Sequence, residues 1–284
     1  MESFTASDGG VIAYRDEGPS DLSARPLVLL HGLMAHGGFF REQAVLAEQF
    51  RLITVDLRGQ GRSATANATV ERAAADVTEL VETLDLRDAI GIGWSLGATV
   101  LWQVLAGPVA SRFAGAVVVD MTARVRNAAD WDLGLSPEAC AARSAAIRDD
   151  YRTFANNAGQ AIFAQPVAEA QRATADWASA EFARNDPAAI AQLWASLEQQ
   201  DLRPLLSHIR HPTLIVHGAQ SQLYGADTAD HLVAALPNAR AVRFAGSGHA
   251  PHLEEPALFN RTVTEFAASL PPVTSTKMNC ETGG

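Results

Sequence analysis

The stretch "AIGIGWSLGA", residues Ala89–Ala98, changes character at its centre. Ala89 to Ser95 is a continuous apolar run of the kind that forms a strand covered on both faces. A helix is expected to begin directly after Ser95. Turning from strand to helix within a residue or two forces the central residue into a strained backbone conformation. Gly93 and Gly97, two residues to either side, leave room for neighbouring chains to approach. The Ser95 hydroxyl is then held up at the sheet edge, with a helix amino terminus beneath it that favours developing negative charge. A bare Gly-x-Ser-x-Gly occurs often by chance; a strand-to-helix junction gives it weight.

Other apolar runs extend the pattern outward. Val11–Tyr14 follows an Asp8-Gly9-Gly10 turn and predicts an opening antiparallel hairpin. Leu27–Gly32, Leu52–Gly59, Ala114–Asp120, Thr213–Gly218 and Arg240–Gly246 are further candidate strands. Val70–Leu86 carries a helical apolar stripe, and a last helix is expected over Pro256–Leu270. Strands and helices in alternation imply an α/β fold with a mostly parallel, doubly wound sheet. From about Thr122 to Leu206 the alternation stops and the chain is helical in character, with Trp131, Tyr151, Phe154, Phe163, Trp177, Phe182 and Trp194 scattered through it. It is expected to form a helical cap inserted after the strand ending at Asp120. Most of these aromatics should pack the cap onto the core, and one or two should face a cavity. The core is then 1–121 plus 207–272, the cap 122–206, and 273–284 an aperiodic tail expected to be disordered.

Composition excludes several classes. The chain has 284 residues, 48% hydrophobic and 19% charged, the profile of a soluble globular protein. A formal net charge of −10 with no dense Lys/Arg block argues against a nucleic-acid partner. Two distant cysteines, Cys140 and Cys280, make no disulfide framework. No secretory signal or membrane-length apolar run is visible, so a cytoplasmic location without membrane partners is expected. No histidine/cysteine/acid cluster has metal-site spacing, and neither cofactor nor metal is expected.

Four segments, in order, resemble the α/β-hydrolase family, and the likeness spans about Thr5 to Leu270. "VLLHGLMAHGGFF" is similar to the family's oxyanion-hole loop, "VDLRGQGRS" to its strand-four loop, "GWSLGA" to its nucleophile elbow and "GSGHAPHLEEP" to its histidine loop. The resemblance implies Ser95 as nucleophile, His249 as general base, and the backbone N–H groups of Leu33 and Leu96 as oxyanion donors. It favours His249 over His252, which with Glu254 should organise the loop or start the next helix. His31 should support the oxyanion loop.

The acid departs from the common pattern. Most relatives carry it three residues after the glycine of the "VHG" strand end; here that residue is Ser221. In some members the acid stands at the end of the strand after the elbow, which is Asp120, 25 residues beyond Ser95. Asp227 is the rival. The expected partner is a small acyl substrate, and an apolar, aromatic cap favours an acyl chain or an aromatic group over a highly charged substrate. "GWSLG" and "GHAPHLEEP" most resemble small carboxylesterases, including the pimeloyl-carrier-protein methyl ester esterases, and acyl-homoserine-lactone lactonases share the plan. A serine hydrolase acting on an ester, lactone or thioester is the expected function. Cofactor-free perhydrolases, C–C hydrolases, lyases and slow-turnover receptors on the same fold stay open.

Overall fold

The computed structural model describes residues 1–20 and 24–273. Cys280 and nearly all of the expected tail, 274–284, lie outside the described residues. The strands are β1 (Glu2–Thr5), β2 (Val11–Glu17), β3 (Pro26–Leu30), β4 (Arg51–Val55), β5 (Ala89–Trp94), β6 (Phe113–Val119), β7 (Thr213–Gly218) and β8 (Ala239–Phe244). They form one eight-stranded sheet in the order β1-β2-β4-β3-β5-β6-β7-β8. The β1–β2 and β2–β4 pairs are antiparallel and the others parallel, as the hairpin and the continuous apolar runs predict.

Among the strands that stop earlier than the apolar run suggests, β3 and β4 do so for one reason. The run from Leu52 ends as strand at Val55: Asp56 N–H still donates to the Ala13 carbonyl of β2 at 2.9 Å, but Leu57 N–H donates to His31 Nε2 at 2.9 Å, and the Asp56 carboxylate accepts from Gly37 N–H at 2.8 Å. The run from Leu27 ends at Leu30, where His31 takes up that contact. Helix α1 (Val70–Thr83) likewise stops short of Leu86, with Asp85 in the left-handed region at φ 44°.

Helix α2 (Leu96–Leu105) follows β5 without a linking loop, and Ser95 between them has φ 53° and ψ −121°. The turn is this tight only because Gly97 lets it be: a Cβ there would run into the Leu30 carbonyl oxygen of the neighbouring strand. Gly97→Ala is therefore expected to destabilise the fold by about 1–3 kcal/mol, visible as a lowered thermal midpoint together with lost activity. An unchanged melt would show that the strand and elbow can separate without cost.

Between β6 and β7 lie α3 (Pro137–Asp149), α4 (Tyr151–Ala161), α5 (Arg172–Phe182), α6 (Pro187–Glu198) and the short α7 (Arg203–Leu206). The helical character expected from Thr122 onward does not start there. Isolated bridges Arg126–Leu135 and Ala128–Trp131 shape a compact loop, pinned by Trp131 Nε1 donating to the Arg124 carbonyl at 2.8 Å. Helix α3 begins only where Ser136 caps it and Pro137 fixes the first turn. Helices α8 (Ala226–Ala235), α9 (Pro251–Glu254) and α10 (Pro256–Ser269) complete the chain. No helix among the described residues is long and apolar enough to cross a membrane.

The topology decides where a ligand can sit. After β3 the chain turns to one side to make β4, then crosses to the other side to make β5. The crevice between the carboxyl ends of β3 and β5 is the point at which the winding reverses, the usual ligand position in open parallel sheets. Leu30 lies in register with Gly93 there, so the loops beginning at His31 and Ser95 emerge side by side.

Candidate active site

Two strand ends and one loop deliver three of the side chains singled out in the sequence. Ser95 ends β5, its N–H bonded to the Val119 carbonyl of β6 at 3.0 Å. Asp120 ends β6, its N–H bonded to the Val216 carbonyl of β7 at 2.9 Å, and its φ of 44° turns the chain away from the sheet. The left-handed backbone is uncommon for a residue with a side chain, and aspartate is among those that tolerate it. His249 comes from the loop between β8 and α9.

These elements bring His249 and Asp120 together. His249 Nδ1 lies 2.6 Å from Asp120 Oδ2, and both residues are 3% exposed. Committing Nδ1–H to the carboxylate leaves Nε2 as the ring nitrogen able to take a proton. Ser95 and His249 line the same cavity, of about 90 Å³, with Gly32, Leu33 and Trp94. Leu96 is the first residue of α2, where a helix N–H has no partner within the helix. Leu33 follows the turn at the end of β3, and Met34 after it has φ 67°.

Ser221 stands where the family resemblance leads one to expect an acid, and the structure gives it a defined partner. Its hydroxyl donates to Asp120 Oδ2 at 2.6 Å, the same oxygen that His249 approaches. The other oxygen, Oδ1, receives His217 Nδ1 at 3.2 Å and Gly218 N–H at 3.4 Å. Burial alone would raise the Asp120 pKa, but the bonds from His217, His249 and Ser221 outweigh it and hold the carboxyl below its ordinary value. Asp227, the rival acid, is exposed in the first turn of α8, away from this network.

The remaining histidines separate cleanly. His31 is fully buried; its Nε2 accepts from Leu57 N–H, so Nδ1–H donates to the Gly32 carbonyl at 2.9 Å. That arrangement ties the loop carrying Leu33 to the loop after β4, and burial lowers the His31 pKa to about 4, keeping it neutral. His252 is also fully buried, beside the rings of Trp94, Phe40 and Phe259, and neither of its nitrogens finds a hydrogen-bond partner. Burial takes its pKa down to about 3, and it serves as packing beneath Trp94.

Ser221 and Glu254 stand out in the sequence, but the bonds made by them, and by His217 and Trp94, do not. His217 and Ser221 carry no motif of their own; what would have identified them is the parallel register that sets Val119 beside Val216. Trp94, immediately before Ser95, donates from Nε1 to the His249 carbonyl at 2.8 Å. Glu254 accepts from Gly248 N–H at 2.8 Å and from Ala164 N–H at 2.7 Å, tying the histidine loop to the inserted helices. Burial raises its pKa to about 7. His249 N–H itself donates to the Ile162 carbonyl of the insertion at 2.8 Å. The insertion thus forms one wall of the cavity through Arg143, Phe154, Ala158, Ile162 and Phe182. Of the seven aromatics noted above, Phe154 and Phe182 face this space. Among the described residues no group of three or more potential metal ligands occurs.

Known proteins agree with this architecture. A pimeloyl-[acyl-carrier protein] methyl ester esterase of Xanthomonas oryzae pv. oryzae (strain MAFF 311018) is 30% identical over 251 residues, covering 86% of this chain and 96% of that protein. Among solved structures, an esterase from Exiguobacterium antarcticum superposes with a TM-score of 0.87 at 24% identity, covering 94% of this chain and 99% of that one. The esterase RhEst1 from Rhodococcus sp. ECU1013 gives a TM-score of 0.82 at 26% identity, covering 95% and 99%. A family model matches residues 27–262. The strand order, the serine at the strand-to-helix turn and this match lead to one conclusion: the chain belongs to the alpha/beta hydrolase family.

Proposed function

We propose that the protein is a serine hydrolase that cleaves a carboxylic ester, lactone or thioester through an acyl-enzyme. The observation that carries the reading is the 2.6 Å bond between His249 and Asp120, made beside Ser95 at the wall of one cavity. In this reading Ser95 Oγ attacks the substrate carbonyl carbon while His249 Nε2 takes the hydroxyl proton. The N–H groups of Leu33 and Leu96 receive the negative charge that develops on the carbonyl oxygen. Collapse of the intermediate breaks the bond to the leaving group, which departs with the proton from His249. Water then gives a proton to His249 and attacks the acyl-enzyme; the acid is released and Ser95 regains its proton. Asp120 keeps the imidazole in the tautomer these steps need and balances its charge when protonated.

Ester hydrolysis is the chemistry supported by the family and by the activity for which the Xanthomonas relative is named. The apolar wall of Phe154, Ile162 and Phe182 suits a small acyl substrate under a helical cap. A fluorophosphonate probe tests the reading without knowledge of the substrate. Peptide mapping should place the adduct on Ser95, and labelling should vanish in Ser95→Ala. An adduct elsewhere, or none, would sink the proposal.

A further inference from the structure

One cavity-lining residue has no part in that scheme. Arg143 of α3 reaches the space occupied by Ser95 and His249, and it also borders an outer groove with Asp150, Thr153 and Asn157. Its guanidinium lies 5.0 Å from the ring of Trp194 and 6.0 Å from that of Phe154. Trp194 is held in turn, its Nε1 donating to Ser144 Oγ at 2.8 Å. Stacking of this kind orients a guanidinium and leaves its N–H edge available.

No carboxylate pairs with Arg143 among the described residues. The other half-buried arginines of the insertion, Arg124 and Arg203, both meet Asp201, at 3.2 and 2.6 Å. Asp150, in the outer groove, caps α4 through Thr153 N–H and makes no ion pair with Arg143. The neighbours nearest in charge are the Tyr224 phenol and the Cys140 thiol, and burial raises the pKa of each, so both stay neutral. In a chain of net charge −10, an uncompensated cation at the wall of an apolar cavity is costly. Burial lowers the Arg143 pKa, yet a guanidinium remains protonated at any ordinary pH.

We propose that Arg143 is a specificity-determining residue that receives a carboxylate of the substrate, so that the preferred esters carry a free acid group away from the scissile bond. The inference rests on the serine-hydrolase reading for the reaction, but not for the binding. Arg143 would meet the acid through paired N–H donors, an interaction that a neutral ester cannot make. This narrows the expectation of an acyl chain or an aromatic group, rather than a highly charged substrate, to an apolar chain ending in one anion.

Two substrate series locate the acid. Monomethyl adipate against dimethyl adipate places it on the acyl part, and O-acetylglycolate against propyl acetate places it on the leaving group. In at least one series the acid-bearing ester should show a kcat/KM about 10- to 100-fold above its neutral partner, carried mainly by KM. Arg143→Gln should bring that ratio close to one, and Arg143→Lys should restore part of it. A wild-type ratio near one in both series, or a ratio that survives Arg143→Gln, overturns the proposal. Calorimetric binding of the same esters to Ser95→Ala, with and without Arg143→Gln, repeats the test without turnover. Binding that prefers the acid, with no hydrolysis by the wild type, would refute the hydrolase reading and leave the role of Arg143 standing. Hydrolysis without that preference would do the reverse.

Discussion

Ser95→Ala is expected to abolish ester hydrolysis, lowering kcat by about 10⁶, the scale at which loss of a serine nucleophile acts in a well-studied protease. No neighbour can substitute: of the side chains lining the cavity, Ser95 alone carries a hydroxyl or thiol. The variant should fold normally. The Ser95 side chain caps nothing in α2, and alanine meets the same backbone strain at φ 53° that serine already bears. Activity measured against a panel of short acyl esters, beside a thermal melt, separates the two effects. Activity within about a hundredfold of wild type, with an unchanged melt, would show that Ser95 is not the nucleophile.

Asp120→Asn is expected to cost about 10⁴ in kcat, as the same change does in a serine protease of known mechanism. The local geometry gives the reason. Oδ2 of Asp120 accepts from two donors at 2.6 Å, His249 and Ser221, while Oδ1 faces His217 and Gly218 N–H. An amide carries donors on one of its two ends, so one side of this network must face donor against donor. If the amide oxygen faces Oδ1's partners, His249 is driven to the tautomer whose Nε2 is already protonated. Asp227→Asn changes an exposed helix-terminal acid and should leave kcat within about twofold, since such an acid contributes only a few tenths of a kcal/mol to the helix. The reverse pattern, with Asp227→Asn silent no longer and Asp120→Asn unimpaired, would overturn the assignment.

The same pair invites a rescue. Asp120→Asn combined with Ser221→Asp places a carboxylate where Ser221 Oγ now touches the shared oxygen, and activity should recover by about tenfold over the single variant. The Asp120 carboxyl also has a sign in stability. Its folded pKa lies below the ordinary value, so its contribution is present above the unfolded pKa and is lost as pH falls through the folded one. A melt series should therefore show the Asp120→Asn difference shrinking at strongly acid pH.

Much of the fold and of the site is legible in the sequence. Apolar runs locate the sheet because parallel strands buried on both faces are made mostly of apolar residues, and Thr213–Gly218 matches β7 from end to end. The Ser95 elbow was visible because the turn demands glycines at fixed offsets. Strand ends were less legible at Leu30 and Val55, where side chains of His31 and Asp56 take over backbone donors from distant segments. The 122–135 loop reads as helical in the sequence because its stabilising contacts, such as Trp131 to the Arg124 carbonyl, have no periodic signature. Arg143 was invisible as a site residue for a related reason. Its significance lies in a carboxylate partner it lacks among the described residues, and a missing neighbour leaves no mark in a sequence.

The bond from Ser221 to Asp120 also bears on how this enzyme could vary. With the carboxylate anchored at the end of an interior strand, the loop after β7 supplies a single hydroxyl to the hydrogen bonds around Asp120. Gln222 and Leu223, the next two residues, point their surfaces at the cavity instead. Relieved of carrying the acid itself, that loop can be recontoured while Asp120 keeps its place at the end of β6.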